Sequence, residues 1–140
     1  IFEKCLDICR ISPSSVVMHK SIFKNIGLFD ERLPICEDYD MWLRLTAKYK
    51  VFYSNEFLIK KYGGHEDQLS KAPNGIENYR AYAIEKLLMQ GELNKIQHMK
   101  ALDILIKKLK IYKAGLLKRE KQKEVLQIEK KIEFWARASN

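Results

Sequence analysis

Glu37, Asp38 and Asp40 place three carboxylates within four residues, directly ahead of Met41-Trp42-Leu43-Arg44. A carboxylate about 3 Å from a hydroxyl can orient it and take its proton as the oxygen attacks. The same acids at a helix start answer the unpaired N–H groups and the positive dipole end of the first turn. Composition alone leaves both open: a capped core helix, or a helix presenting a carboxylate at the mouth of a cleft. Arg44 stands four residues beyond Asp40 and can brace it across one turn. A second stretch, from Lys60-Lys61 through Gly63-Gly64-His65-Glu66-Asp67-Gln68 to Ser70, pairs two glycines with polar groups and reads as a shaped loop. Cys5, Cys9 and Cys36 are odd in number and lack a zinc spacing, so they read as free thiols in a reducing compartment.

These groups need elements to hold them. Pro34 and the acids predict a helix from Glu37 to about Lys48. Ser12-Pro13-Ser14-Ser15 is a turn signal, and Val16-Val17-Met18 after it has the composition of a buried strand. Ser21 to Ile26 suits a short helix that Gly27 ends. Val51-Phe52-Tyr53 and Phe57-Leu58-Ile59 have strand composition around a turn at Ser54-Asn55-Glu56. From about Asn74 the period becomes helical. One helix is predicted from Gly75 to Met89, a second from Leu93 to Lys113 with Ile96, Met99, Leu102, Ile106 and Leu109 as its core stripe. A third runs from Leu117 to about Ala136 on Val125, Ile128, Ile132 and Trp135, after a break at Gly115.

The chain has 140 residues and a formal net charge of +8. Residues 1–70 hold ten basic and ten acidic side chains, and residues 71–140 hold sixteen and eight, so the excess lies in the second half. Such charge suits an anionic membrane or a solvated lysine-rich face. No aromatic–basic motif points to nucleic acid, and none is expected as a partner. No run approaches the roughly 18 apolar residues of a membrane span. The start, Ile1-Phe2-Glu3-Lys4, reads as the middle of an element and suggests a piece of a longer protein.

The order Ile11-Ser12-Pro13-Ser14-Ser15-Val16-Val17-Met18, then Gly27-Leu28-Phe29-Asp30-Glu31, then Glu37-Asp38-Tyr39-Asp40-Met41-Trp42-Leu43-Arg44, resembles the second half of a family 2 glycosyltransferase catalytic domain of bacterial type. The resemblance covers about residues 8–70. It implies an α/β fold: the acceptor-side, C-terminal portion of a GT-A Rossmann-like domain over residues 1–73. An antiparallel, basic three-helix extension follows over residues 74–140.

The resemblance also implies an enzyme that passes a sugar from a nucleotide-diphosphate donor to a hydroxyl of a glycan or lipid-linked acceptor, with inversion. Asp38, or Glu37 beside it, would be the catalytic base. Ser14, Ser15, Asp67 and Gln68 would meet the acceptor. His65 would hold the metal or diphosphate, and Lys61 would add positive charge. The cofactor would be Mn²⁺ or Mg²⁺, with its main Asp-x-Asp ligands upstream, so the isolated chain would be inactive. A cytoplasmic location at the inner membrane face, with peripheral membrane contact and self-association left open, completes that expectation. The rival reading is a non-catalytic helical module that docks on an anionic membrane or a protein partner through residues 71–140.

Overall fold

A computed structural model describes residues 1–62 and 75–138. Among these residues six α-helices follow in order: α1 (Phe2–Asp7), α2 (Ser21–Ile26), α3 (Glu37–Lys48), α4 (Ile76–Met89), α5 (Lys95–Lys118) and α6 (Gln122–Arg137). A 3₁₀ turn, Pro13–Ser15, lies between α1 and α2. Among the described residues there is no β-strand. This overturns the expected α/β, GT-A-like architecture and with it the resemblance as a guide to fold. The chain is a helical bundle.

The missing strands have a physical cause. Strand composition is a preference for a pleated, half-buried surface, and it needs a neighbour to pair with. Residues 51–62 have none among the described residues. Phe52, Tyr53 and Phe57 are 95%, 87% and 105% exposed. Leu58 N–H closes only a tight local turn on the Glu56 carbonyl at 3.0 Å. Val17 likewise points wholly into solvent, and no sheet receives the 16–18 run.

The helices bury what the sequence makes apolar. α3 is buried at every position from 39 to 46, because α1, α2 and α4 all pack on it. Tyr39 and Leu43 face a large core shared with Phe2 and Leu6 of α1, Ile84 and Leu87 of α4, Leu105 and Leu109 of α5, and Val125 and Trp135 of α6. Met41, Trp42 and Leu45 face a smaller core with Ile26, and Phe29 meets the Trp42 ring edge-on at 6.5 Å. Residues before and after position 74 therefore share one core.

Three helix ends differ from expectation: α5 differs at both of its ends, and α6 begins at Gln122 rather than Leu117 because α5 occupies the residues up to Lys118. α5 runs through Gly115 to Lys118, although a glycine inside a helix costs about 1 kcal/mol. Leu116, fully packed in the core, holds the helix past that point. At its start Asn94 and Gln97 form a reciprocal capping box, with Asn94 Oδ1 accepting from Gln97 N–H at 2.9 Å. Gln97 Nε2 then donates to the Ala47 carbonyl at 3.0 Å and ties α5 to the end of α3.

Candidate functional site

The acids of α3 are placed by a left-handed residue, Cys36 at φ 66°, which turns the chain into the helix. Asp38 is half-buried and engaged on both oxygens. Its Oδ1 accepts from the Tyr39 N–H at 2.6 Å, and its Oδ2 accepts from the Cys9 thiol at 3.3 Å. Burial, reinforced by the Asp38 charge and that hydrogen bond, pushes the Cys9 thiol up to about 12. Burial pushes Cys36 up to about 11.

Asp40 and Arg44 pair as the spacing predicts, at 2.7 Å, with both side chains buried. Lys86 of α4 approaches the other Asp40 oxygen at 2.5 Å and Asp30 at 2.8 Å. Arg44 also donates to the backbone carbonyls of Ile26 and Leu28. This network holds the end of α2 and the following turn against α3 and α4. A second polar knot joins α4 and α5. Lys108, only 3% exposed, donates to Glu77 at 3.0 Å and to the Asp7 carbonyl at 2.8 Å. Burial lowers the Lys108 pKa against the raising effect of Glu77.

The described members of the expected transfer site make local contacts. Ser15 donates to the Ser12 carbonyl at 2.8 Å, and Ser14 meets Ser12 at 3.2 Å, so both hydroxyls are used inside their own turn. Lys61 is exposed, two positions beyond Ile59. His65, Asp67 and Gln68 lie outside the described residues. Among the described residues no three His, Cys, Asp or Glu side chains come together in a way that would hold a metal ion. Without a sheet core, the expectation of a nucleotide-sugar transferase, with its donor and acceptor partners, is corrected together with the fold that implied it. Two concavities among the described residues are a 220 Å³ cleft edged by Arg44, Lys48 and Glu92, and a shallow groove beside Tyr82 and Met89.

The feature that sequence reading missed is the outer stripe of α5. This helix carries seven lysines and a single acid, Asp103. Its buried side is Ala101, Leu102, Leu105, Lys108, Leu109 and Leu116. Opposite, at intervals of three and four, stand exposed Ile96, Met99, Lys100, Asp103, Lys107, Lys110, Ile111, Ala114, Leu117 and Lys118. Ile96 and Met99, read from the sequence as core, are 68% and 57% exposed. Lys107 pairs with Asp7 at 3.1 Å, whereas Lys100, Lys110 and Lys118 have no ion pair among the described residues. On α6, Lys123, Lys130 and Arg137 are exposed near Leu126 and Phe134. Other lysines of the region are tied down: Lys113 to Glu129, Lys121 to Glu124 and Lys131 to Glu85. A second period, on the side of the helix opposite the core stripe, was the available signal. It was hidden because its apolar members blend with the core pattern.

Comparison with known proteins gives partial likeness. Over 86 residues the chain is 33% identical to a protein of Rickettsia typhi named an uncharacterized glycosyltransferase, a match covering 61% of this chain and 25% of that protein. A similarly named protein of Rickettsia prowazekii is 34% identical over 69 residues, covering 49% and 22%. One of Rickettsia conorii is 33% identical over 61 residues, covering 44% of this chain and 10% of that protein. The matched part is thus a quarter or less of the length of these relatives. No protein-family model matches, and no solved structure does.

Proposed function

We propose that this chain is a non-catalytic helical module that docks on an anionic membrane surface through the outer stripe of α5. The observation that carries the reading is the composition of that stripe: four exposed lysines and one acid, alternating with Ile96, Met99, Ile111 and Leu117. Amphipathic helices of this chemistry lie in the headgroup layer, with apolar side chains in the acyl boundary and lysines on anionic lipid. Exposed apolar positions next to unpaired lysines favour a lipid surface over a purely solvated face, where apolar side chains would gain nothing. No helix of the described residues is long and apolar enough to cross a membrane, so the mode proposed is peripheral. We extend the proposal to the cytoplasmic face, where anionic lipid is exposed to proteins bearing free thiols such as these.

Sedimentation with vesicles tests it. The parent chain is expected to bind vesicles rich in phosphatidylglycerol and to ignore phosphatidylcholine. Each lysine near an anionic surface contributes about 1 kcal/mol, so the triple substitution Lys100→Gln, Lys110→Gln, Lys118→Gln should weaken binding on the order of 100-fold. These side chains are exposed, and the variant should unfold at the parent's urea midpoint. Equal binding by parent and variant would remove α5 as the docking surface.

A further inference from the structure

Residues 50–62 carry a second surface that the packing leaves bare. Phe52, Tyr53, Phe57, Leu58 and Tyr62 are between 70% and 105% exposed, and Val51 and Ile59 are about half exposed. The segment belongs to no helix or strand and makes one tight turn at Glu56, and its side chains are left exposed among the described residues. Exposed groups of this size on a folded chain mark a surface made to be covered. Its charge says by what. Lys50 stands at one end and Lys60 and Lys61 at the other, all exposed, against the single acid Glu56. The Lys60 ammonium sits over the Tyr62 ring at 5.2 Å, so the terminal aromatic and the cation form one unit.

We propose that residues 50–62 enter the interfacial layer of an anionic bilayer as the apolar anchor of the docking described above. The proposal rests on that reading and adds a second contact to it. Aromatic rings with one wet edge favour the headgroup level, and lysine stems lie along apolar surface while their ammonium groups reach phosphate. A shallow interfacial position also keeps the backbone N–H and C=O groups of a segment outside helix and sheet in contact with water, as a hydrocarbon position would not. Stable peripheral attachment takes two signals, and the polybasic stripe of α5 and this segment would supply them.

Two variants of the 140-residue chain test the anchor. In Phe57→Trp the added indole reports its surroundings, and the buried Trp42 and Trp135 are common to parent and variant. With phosphatidylglycerol vesicles its emission, less the parent's, should shift to the blue and be quenched by acyl chains brominated near the headgroup. The double variant Phe52→Ser, Phe57→Ser should keep the parent's thermal midpoint, since both rings are exposed, and lose binding by at least about 10-fold at moderate salt. If the parent binds anionic vesicles but the indole is neither shifted nor quenched and the double variant binds as tightly, the anchor is overturned while docking through α5 stands. If the parent binds no anionic vesicle, both fall. Self-association in the absence of lipid that the double variant abolishes would assign the segment to a second copy and overturn the lipid anchor.

Discussion

Cys9 and Asp38 show how packing at the start of α3 settles the chemistry of single groups. With Cys9 held up to about 12 and Cys36 up to about 11, almost no thiolate exists at neutral pH. Alkylation by iodoacetamide at pH 8 should therefore run at least about 100-fold slower in the native chain than in urea, followed by mass mapping of the two thiols. Comparable rates in both states would mean that neither thiol is held protonated. Both folded pKa values are raised, so the native state keeps protons that the unfolded state loses first. This contribution is complete below about pH 8.5 and fades as pH rises toward 11 and 12. Asp30 works in the opposite sense. Hydrogen bonds from Arg32 first, then Lys86, hold its carboxyl well below the usual range. Its contribution is present above about pH 4, the unfolded value, and is lost as pH falls toward the folded one. Asp30→Asn should thus flatten the fall in urea midpoint between pH 6 and pH 3; an unchanged slope would remove Asp30 from the acid limb.

At the scale of elements, α6 is fastened by one aromatic. Trp135 is 8% exposed, and its indole N–H donates to Glu85 Oε1 at 3.0 Å, while Lys131 reaches Glu85 Oε2 at 2.7 Å. Trp135→Ala removes the largest buried group of α6 and leaves Glu85 without its indole, for about 3–5 kcal/mol. Amide exchange should then accelerate across α6 before α3; uniform acceleration would mean that α6 is not a separable element. The same helix was legible from sequence, since Val125, Ile128, Ile132 and Trp135 keep a strict period. So was α3, because Pro34, the first-turn acids and the Asp40–Arg44 spacing agree with one another. The strands were not. Val51–Tyr53 and Phe57–Ile59 carry strand chemistry, but a strand is a property of a pair, and composition cannot supply the neighbour. Resemblance carried the error further, attaching a sheet, and the reaction that goes with it, to a chain whose described residues form helices. The outer stripe of α5 went unread for another reason. A long helix on one flank of a bundle has two periodic faces, and Ile96 and Met99 continue the three-residue spacing into Leu102 although they stand on the outer face.

At the scale of the molecule, one core joins both ends of the chain, and four lysines against one acid end up on one side of the longest helix. Internal ion pairs use much of the lysine elsewhere, as in Lys108 with Glu77 and Lys131 with Glu85. What remains on α5 is free to meet anionic lipid, together with apolar side chains that water does not favour. Such docking should weaken with salt, because the Debye length shrinks from about 30 Å at 0.01 M to about 8 Å at 0.15 M, but apolar insertion should preserve part of it. The most direct measurement is the affinity of the parent chain for vesicles of fixed size as phosphatidylglycerol replaces phosphatidylcholine, taken at low and physiological salt. Binding that rises steeply with anionic lipid and survives in part at physiological salt is what the account predicts. Binding indifferent to lipid charge, or absent at every composition, would contradict it.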